Sequence, residues 1–242
     1  MGQAIVRATE ETDSYRIVAG IDINADSVAP ACGFPVYQTV SEFPGKADVI
    51  IDFSHHSSLP SLLEYSTATG TPIVVCTTGH TDEEKALMTE AASKTAIFFS
   101  GNMSIGINLL IELCKNASET LGVNFDIEIV EKHHNQKLDA PSGTAIMIAD
   151  AIKETREETE YVYDRHEVRR KRSEKEIGIH SVRGGTIVGE HEVIFAGNNE
   201  TLTLTHTAMS REIFANGALR AAEYLAKKTV GTYNMSDLIN GR

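Results

Sequence analysis

Residues 72–100 read PIVVCTTGHTDEEKALMTEAASKTAIFFS, and this stretch decides the fold. Two short, nearly all-apolar runs, 72–76 and 96–100, bracket a polar segment of helical length. Strands buried on both faces of a parallel sheet have that continuous apolar character, and the segment between them is then a crossover helix. Thr81, followed three residues later by Glu84, spells a capping box and starts a helix over 81–94. Working outward, 16–22 (RIVAGID) and 48–53 (DVIIDF) repeat the strand pattern and 59–68 the helical one. Residues 15–100 therefore predict an α/β unit with a parallel sheet.

Beyond residue 100 the character changes. Helices are expected over 105–121 and 142–160, and strands over 127–130, 177–182, 192–196 and 201–207. The run ETLTLTHT at 200–207 is expected to put Leu202 and Leu204 on one face and the threonines with His206 on the other, as in a sheet with one solvated side. A mixed or antiparallel second domain follows. A last helix over 211–228 carries Ile213, Phe214, Ala218, Leu219, Ala222 and Leu225 at helical spacing, a stripe able to pack on a sheet and so to return to the first domain. The basic run RRKR at 169–172 reads as a solvated loop.

With 242 residues, 41% hydrophobic and 23% charged, the chain can bury a full core. No apolar run reaches the roughly 20 residues of a membrane span, and no signal-peptide pattern opens the chain, so a cytosolic protein without membrane contact is expected. Cys32, Cys76 and Cys114 are odd in number and widely spaced, which suggests neither a disulfide framework nor a zinc site. A net charge of −12 argues against a nucleic-acid partner, and any anion site must rely on local groups.

Such a site is suggested at 131–144, EKHHNQKLDAPSGT. Ser142 is a candidate N-cap, Gly143 permits close backbone approach, and the first-turn N–H groups of a helix starting there suit a carboxylate or phosphate. Lys137 can bring an ammonium to the same anion, and His133 can donate a proton near neutral pH. His133 and His134 alone would read as surface residues, because neighbours on a strand face opposite ways. For the same reason they do not make a metal site, and none is expected. In the first half, Asp22 ends a strand where dinucleotide-binding folds place an acidic residue for the ribose. VCTTG at 75–79 and SGNMSIG at 100–106 follow two further strands at the edge where such folds bind ligands.

Through EKHHNQKLDAPSGTA at 131–145, CTTG at 76–79, GNMSIG at 101–106 and SREIFANGALRAAEYL at 210–225, the whole chain resembles the dihydrodipicolinate reductase family. The resemblance implies a Rossmann-like dinucleotide-binding domain (1–104 plus 211–242), an inserted α+β substrate and oligomerisation domain (105–210), and a homotetramer. It implies NADH- or NADPH-dependent reduction of a small dicarboxylate, 4-hydroxy-tetrahydrodipicolinate, with loss of water, in lysine and diaminopimelate synthesis. His133 would be the proton donor and Lys137 its catalytic partner, while His134, Gly143 and Thr144 would hold the substrate carboxylates. Cofactor contacts would fall on Asp22, Cys76, Thr77, Thr78, Ser100, Gly101, Asn102 and Met103. Because Ile23 rather than an arginine follows Asp22, nothing adjacent pairs a 2′-phosphate, and NADH is the expected preference. The family's first strand and glycine-rich loop have no counterpart before Met1 and Gly2, so a truncated chain or misplaced start is expected, with a catalytically impaired dicarboxylate-binding homologue as the alternative reading.

Overall fold

The structure is a computed structural model that describes residues 1–156, 158–166 and 169–241. The chain begins with α1 (Gly2–Glu10), β1 (Gly20–Ile21), α2 (Ala25–Val28) and β2 (Val36–Tyr37), and continues through β3 (Ile50–Asp52), α3 (Leu59–Thr69), β4 (Ile73–Val75), α4 (Asp82–Ala91) and β5 (Ala96–Phe99). It then runs through α5 (Ile105–Leu121), β6 (Asp126–His133), α6 (Gly143–Lys153), β7 (Glu160–Val162), β8 (Glu176–Arg183), β9 (Gly189–Ala196) and β10 (Thr201–Ala208). It closes with α7 (Glu212–Leu225), β11 (Gly231–Tyr233) and α8 (Met235–Asn240). Two compact units result, Met1–Met103 with Glu212–Arg242, and Ser104–Arg211.

In the first unit β11, β5, β4 and β3 form an all-parallel sheet in that order. Ile73, Val74 and Val75 are completely buried, as the continuous apolar run required. Leu59, Leu62 and Leu63 of α3 and Met88 and Ala91 of α4 pack on Ile73, Val75 and Ile97. The capping box forms as expected: Thr81 Oγ1 accepts the Glu84 N–H at 3.2 Å and Glu84 Oε2 accepts the Thr81 N–H at 2.9 Å. The returning helix α7 packs on β3, β4 and β5, and also buries Ala215 and Leu219 against Ala4 and Ala8 of α1.

The strand expected over 16–22 shrinks to Gly20–Ile21, which pairs only with Val36–Tyr37 in a separate two-stranded sheet. Ile21 and Ile23 are exposed, so this apolar run is not the doubly covered strand its composition suggested. The helix expected over 142–160 stops at Lys153, and its last expected residue instead begins β7. Short β11 was not anticipated; three residues, GTY, carry too little period to signal a strand.

The second unit is a mixed five-stranded sheet in the order β10, β9, β6, β8, β7. Ile127, Ile129, Ile177, Ile179, Val193 and Phe195 share one face and pack with Leu110 and Cys114 of α5 and Ile148 and Ile152 of α6. Strand period two then decides what comes next on that face. Glu131 and His133 follow Ile129, Ser181 and Arg183 follow Ile179, and His191 precedes Val193, with Glu131 registered between Ser181 and His191 and His133 beside Arg183.

His206 does not share a face with the threonines; it lies two residues from Leu204, opposite His191, and its ring is so close to α5 that a Cβ on Gly106 would come within 2.8 Å. The basic run is not simply solvated. Arg172 donates to Asp126 and Glu128 and to the carbonyls of Ile127 and Glu176, because the carboxylates of β6 and the carbonyls at the sheet end need donors.

Candidate active site

The polar end of the second unit's helix-covered sheet face is organised by Glu131, whose side chain is fully buried. Arg183 meets it with two prongs, Nη1 to Oε2 and Nη2 to Oε1, each 2.7 Å. The Ser142 N–H donates to Oε1 at 3.1 Å, and His133 Nδ1 lies 2.6 Å from Oε2. Burial opposes ionisation of this carboxyl, but the bonds from Arg183, Ser181 and His133 outweigh it and hold its pKa at about 2.

Ser142 is the N-cap of α6, as its position predicted: Oγ accepts the Ala145 N–H at 3.1 Å and lies 2.9 Å from His191 Nε2. His191 is buried, its ring 5.3 Å from that of His133 at 73°. Burial, with His133 next to it, pushes the His191 pKa down to about 4, so the ring is neutral at pH 7. Lys137 Nζ pairs with Asp139 at 2.8 Å, and the Asp139 carbonyl accepts from Arg183 at 2.8 Å, which ties the loop to the same arginine.

Of the expected site residues, His133 thus joins Glu131, Arg183, Ser142 and His191, and Lys137 reaches them through Asp139 and Arg183. His134 lies past the strand end in a neighbouring hollow with Asn135, Gln136, Gly185, Val188 and Arg211. Gly143 is exposed at the first position of α6 and Thr144 is half-buried behind it.

In the first unit the loops after β3, β4 and β5 lie side by side at the carboxyl edge of the parallel sheet. Asp52 is buried there and accepts from the Ser54 N–H and from Thr77 Oγ1, at 2.8 and 2.9 Å. Ser100 Oγ donates to the Asn102 carbonyl at 2.8 Å, and Met103 is buried behind this turn. Thr78, Gly79 and Gly101 are exposed in these loops, with Gly79 at φ +82. Small residues at the carboxyl ends of adjacent parallel strands fit the close backbone approach of a dinucleotide. Cys76 is buried, and burial followed by the Asp52 charge raises its thiol pKa well above the ordinary value, so it presents a neutral group. Asp22 stands apart, just past the end of β1, where its carboxylate accepts the Asn24 N–H at 2.8 Å and its N–H bonds the Tyr37 carbonyl at 3.0 Å.

Residues 1–103 match the family model of the dihydrodipicolinate reductase N-terminus, and residues 106–239 that of its C-terminus. The chain belongs to the dihydrodipicolinate reductase family. A 4-hydroxy-tetrahydrodipicolinate reductase of Caldanaerobacter subterraneus subsp. tengcongensis is 50% identical over 240 residues, covering 99% of this chain and 94% of the relative. The reductase of that name from Clostridium novyi is 46% identical over 243 residues, 100% of this chain and 95% of the relative. Among solved structures, a dipicolinate-bound dihydrodipicolinate reductase from Paenisporosarcina sp. TG-14 superposes with a TM-score of 0.80 at 26% identity, covering 98% of this chain and 94% of that one.

For this dihydrodipicolinate reductase chain, residue-by-residue reading of the sequence missed Glu131, Arg183 and His191 as site residues, along with Asp52. Glu131 had a local signal, an acidic residue in register with the buried isoleucines of its own strand. Arg183 and His191 lie far along the chain on other strands, and only sheet register brings them to Glu131.

Proposed function

We propose that this chain reduces 4-hydroxy-tetrahydrodipicolinate to tetrahydrodipicolinate with loss of water, in lysine and diaminopimelate synthesis, with His133 as proton donor and Lys137 as its partner. What carries this reading is the Glu131–His133 contact of 2.6 Å at the start of α6, joined to a match that spans both halves of the family. The helix start offers a favourable field for a carboxylate, so Gly143 and Thr144 would hold one carboxylate of the dicarboxylate and His134 would assist. Lys137 adds a positive charge close to the same loop, which an anionic substrate needs in a protein of net charge −12. His133 would supply the proton that neutralises charge developing on the ring nitrogen side of the substrate.

A reduced nicotinamide, when bound, supplies the hydride. Thr77, Thr78, Ser100, Gly101, Asn102 and Met103 would hold that cofactor, with Cys76 lining the loop base and Asp22 bonding the adenosine ribose. Ile23 beside Asp22 leaves a 2′-phosphate without a cation there, so NADH is the preferred cofactor; comparing kcat/KM for the two cofactors tests this, and a clear advantage for NADPH refutes it. The reading also includes a cytosolic homotetramer. A mass measurement by light scattering tests the tetramer.

The test of the function as a whole is an NADH titration by cofactor fluorescence, with and without pyridine-2,6-dicarboxylate, alongside a reductase assay. Saturable NADH binding tightened by the dicarboxylate, with turnover, is expected. A folded protein with neither binding nor turnover refutes the assignment.

A further inference from the structure

We propose that Glu131, clamped by Arg183, is a positioning residue: it holds the His133 imidazole by Nδ1–H and so makes Nε2 the atom that gives up the proton. The inference rests on the reading of His133 as proton donor and adds which nitrogen acts and what aims it.

The geometry leaves few options. The two Arg183 prongs and the Ser142 N–H supply three donors to the Glu131 carboxylate, which is completely buried and cannot turn to water. An ionised carboxylate only accepts, so the 2.6 Å contact requires the proton to sit on His133 Nδ1. This carboxyl holds its charge down to about pH 2, so the requirement persists across any working pH. In the doubly protonated ring both nitrogens carry protons, the Nδ1–H stays with Glu131, and the Nε2–H bond is the one that breaks. The neutral Nδ1–H ring that remains is the form Glu131 already favours, and solvent restores the proton afterwards.

Gly189 on β9 flanks the other nitrogen: a Cβ there would lie 3.1 Å from His133 Nε2, so glycine keeps a side chain from crowding the acting atom. The other titratable groups of this cluster are Arg183 on β8 and His191 on β9, with His206 on β10 opposite His191, and Lys137 and Asp139 in the loop tied to Arg183. Of these and Glu131 itself, only Glu131 is hydrogen-bonded to His133. Arg183, by contrast, is bound to Glu131 and to the Asp139 carbonyl and so fixes the carboxylate rather than the ring.

The experiment uses the full chain. In protein with 15N-labelled histidine, long-range proton–nitrogen correlations report which nitrogen of neutral His133 is protonated, with His133→Asn giving the assignment. Glu131→Gln and Glu131→Asp are then assayed across pH. The expected result is an Nδ1–H ring in the unaltered enzyme. In Glu131→Gln, kcat falls on the order of 100-fold while KM and pyridine-2,6-dicarboxylate binding move less than about threefold, and the pH profile of kcat moves with it. Glu131→Asp, which keeps the charge, recovers part of both rate and profile. An Nε2–H ring overturns the proposal, as does a Glu131→Gln enzyme that loses rate with its pH profile unmoved. Should Glu131→Gln not fold, the nitrogen spectrum of the unaltered enzyme decides alone. Full activity in His133→Asn removes the underlying reading and the proposal with it. An inactive His133→Asn beside a fully active Glu131→Gln removes only the positioning role.

Discussion

Gly217 in α7 faces the backbone of Met103, and replacing it with alanine tests two things together. A Cβ at that position would lie 1.7 Å from the Met103 carbonyl oxygen, with Met235 Cε at 3.4 Å on another side. Carbon–oxygen contacts in proteins close to about 3.3 Å, so helix and loop must part by roughly 1.6 Å. The obstacle is backbone, not the tip of a flexible side chain, and close-packed interiors absorb such overpacking at about 1–3 kcal/mol. For a chain of this size each kcal/mol lowers Tm by about 2–4 °C, which gives a drop of about 2–12 °C. Met103 ends the turn held by Ser100 and Asn102, so the displacement also reaches the proposed cofactor loop, and the NADH Kd should rise about tenfold, equivalent to about 1.4 kcal/mol. Differential scanning fluorimetry and an NADH fluorescence titration read the two effects. A melting point within about 1 °C of the parent refutes the packing argument. A lowered Tm with unchanged NADH affinity refutes the assignment of residues 100–103 to the cofactor.

The same substitution at Gly143 should do the reverse, since a Cβ there meets nothing within 4 Å. Stability should hold or rise by up to about 1 kcal/mol while the KM for the dicarboxylate rises, and an unchanged KM counts against substrate contact at the start of α6. The folded-state pKa of His191, about 4, lies below its ordinary 6.5, so its contribution to stability is present above pH 6.5 and is lost as pH falls toward 4. That loss is on the order of 3 kcal/mol, and urea midpoints measured at pH 7 and pH 4 should converge in His191→Gln. Arg183→Ala leaves Glu131 buried without its cation and should cost about 3–5 kcal/mol by urea unfolding. Replacing both Glu131 and Arg183 with leucine should return much of that stability without returning activity; an Arg183→Ala protein as stable as the parent argues against a tightly held pair.

Much of the fold was legible because it is written in local patterns. The apolar runs at 72–76 and 96–100 and the Thr81–Glu84 capping box each need only a few neighbouring residues to be recognised. The strand expected over 16–22 failed because an apolar run alone does not say whether a neighbour pairs with it, and here only Gly20–Ile21 finds one. Face assignments inside a strand follow from counting by two, and His206 takes its place beside Leu204 for that reason.

The site divides along the same line. The sequence by itself determined a strand end, loop and helix start carrying His133, His134, Lys137, Ser142, Gly143 and Thr144, because those residues lie within one short segment. Only the tertiary structure decided that Arg183 and His191 join them, that Glu131 is the buried carboxylate His133 leans on, and that Asp52 anchors Thr77 across two strands. Those contacts depend on the register of non-adjacent strands. Register is set by how the hydrophobic faces of a whole sheet pack, an outcome no single segment contains.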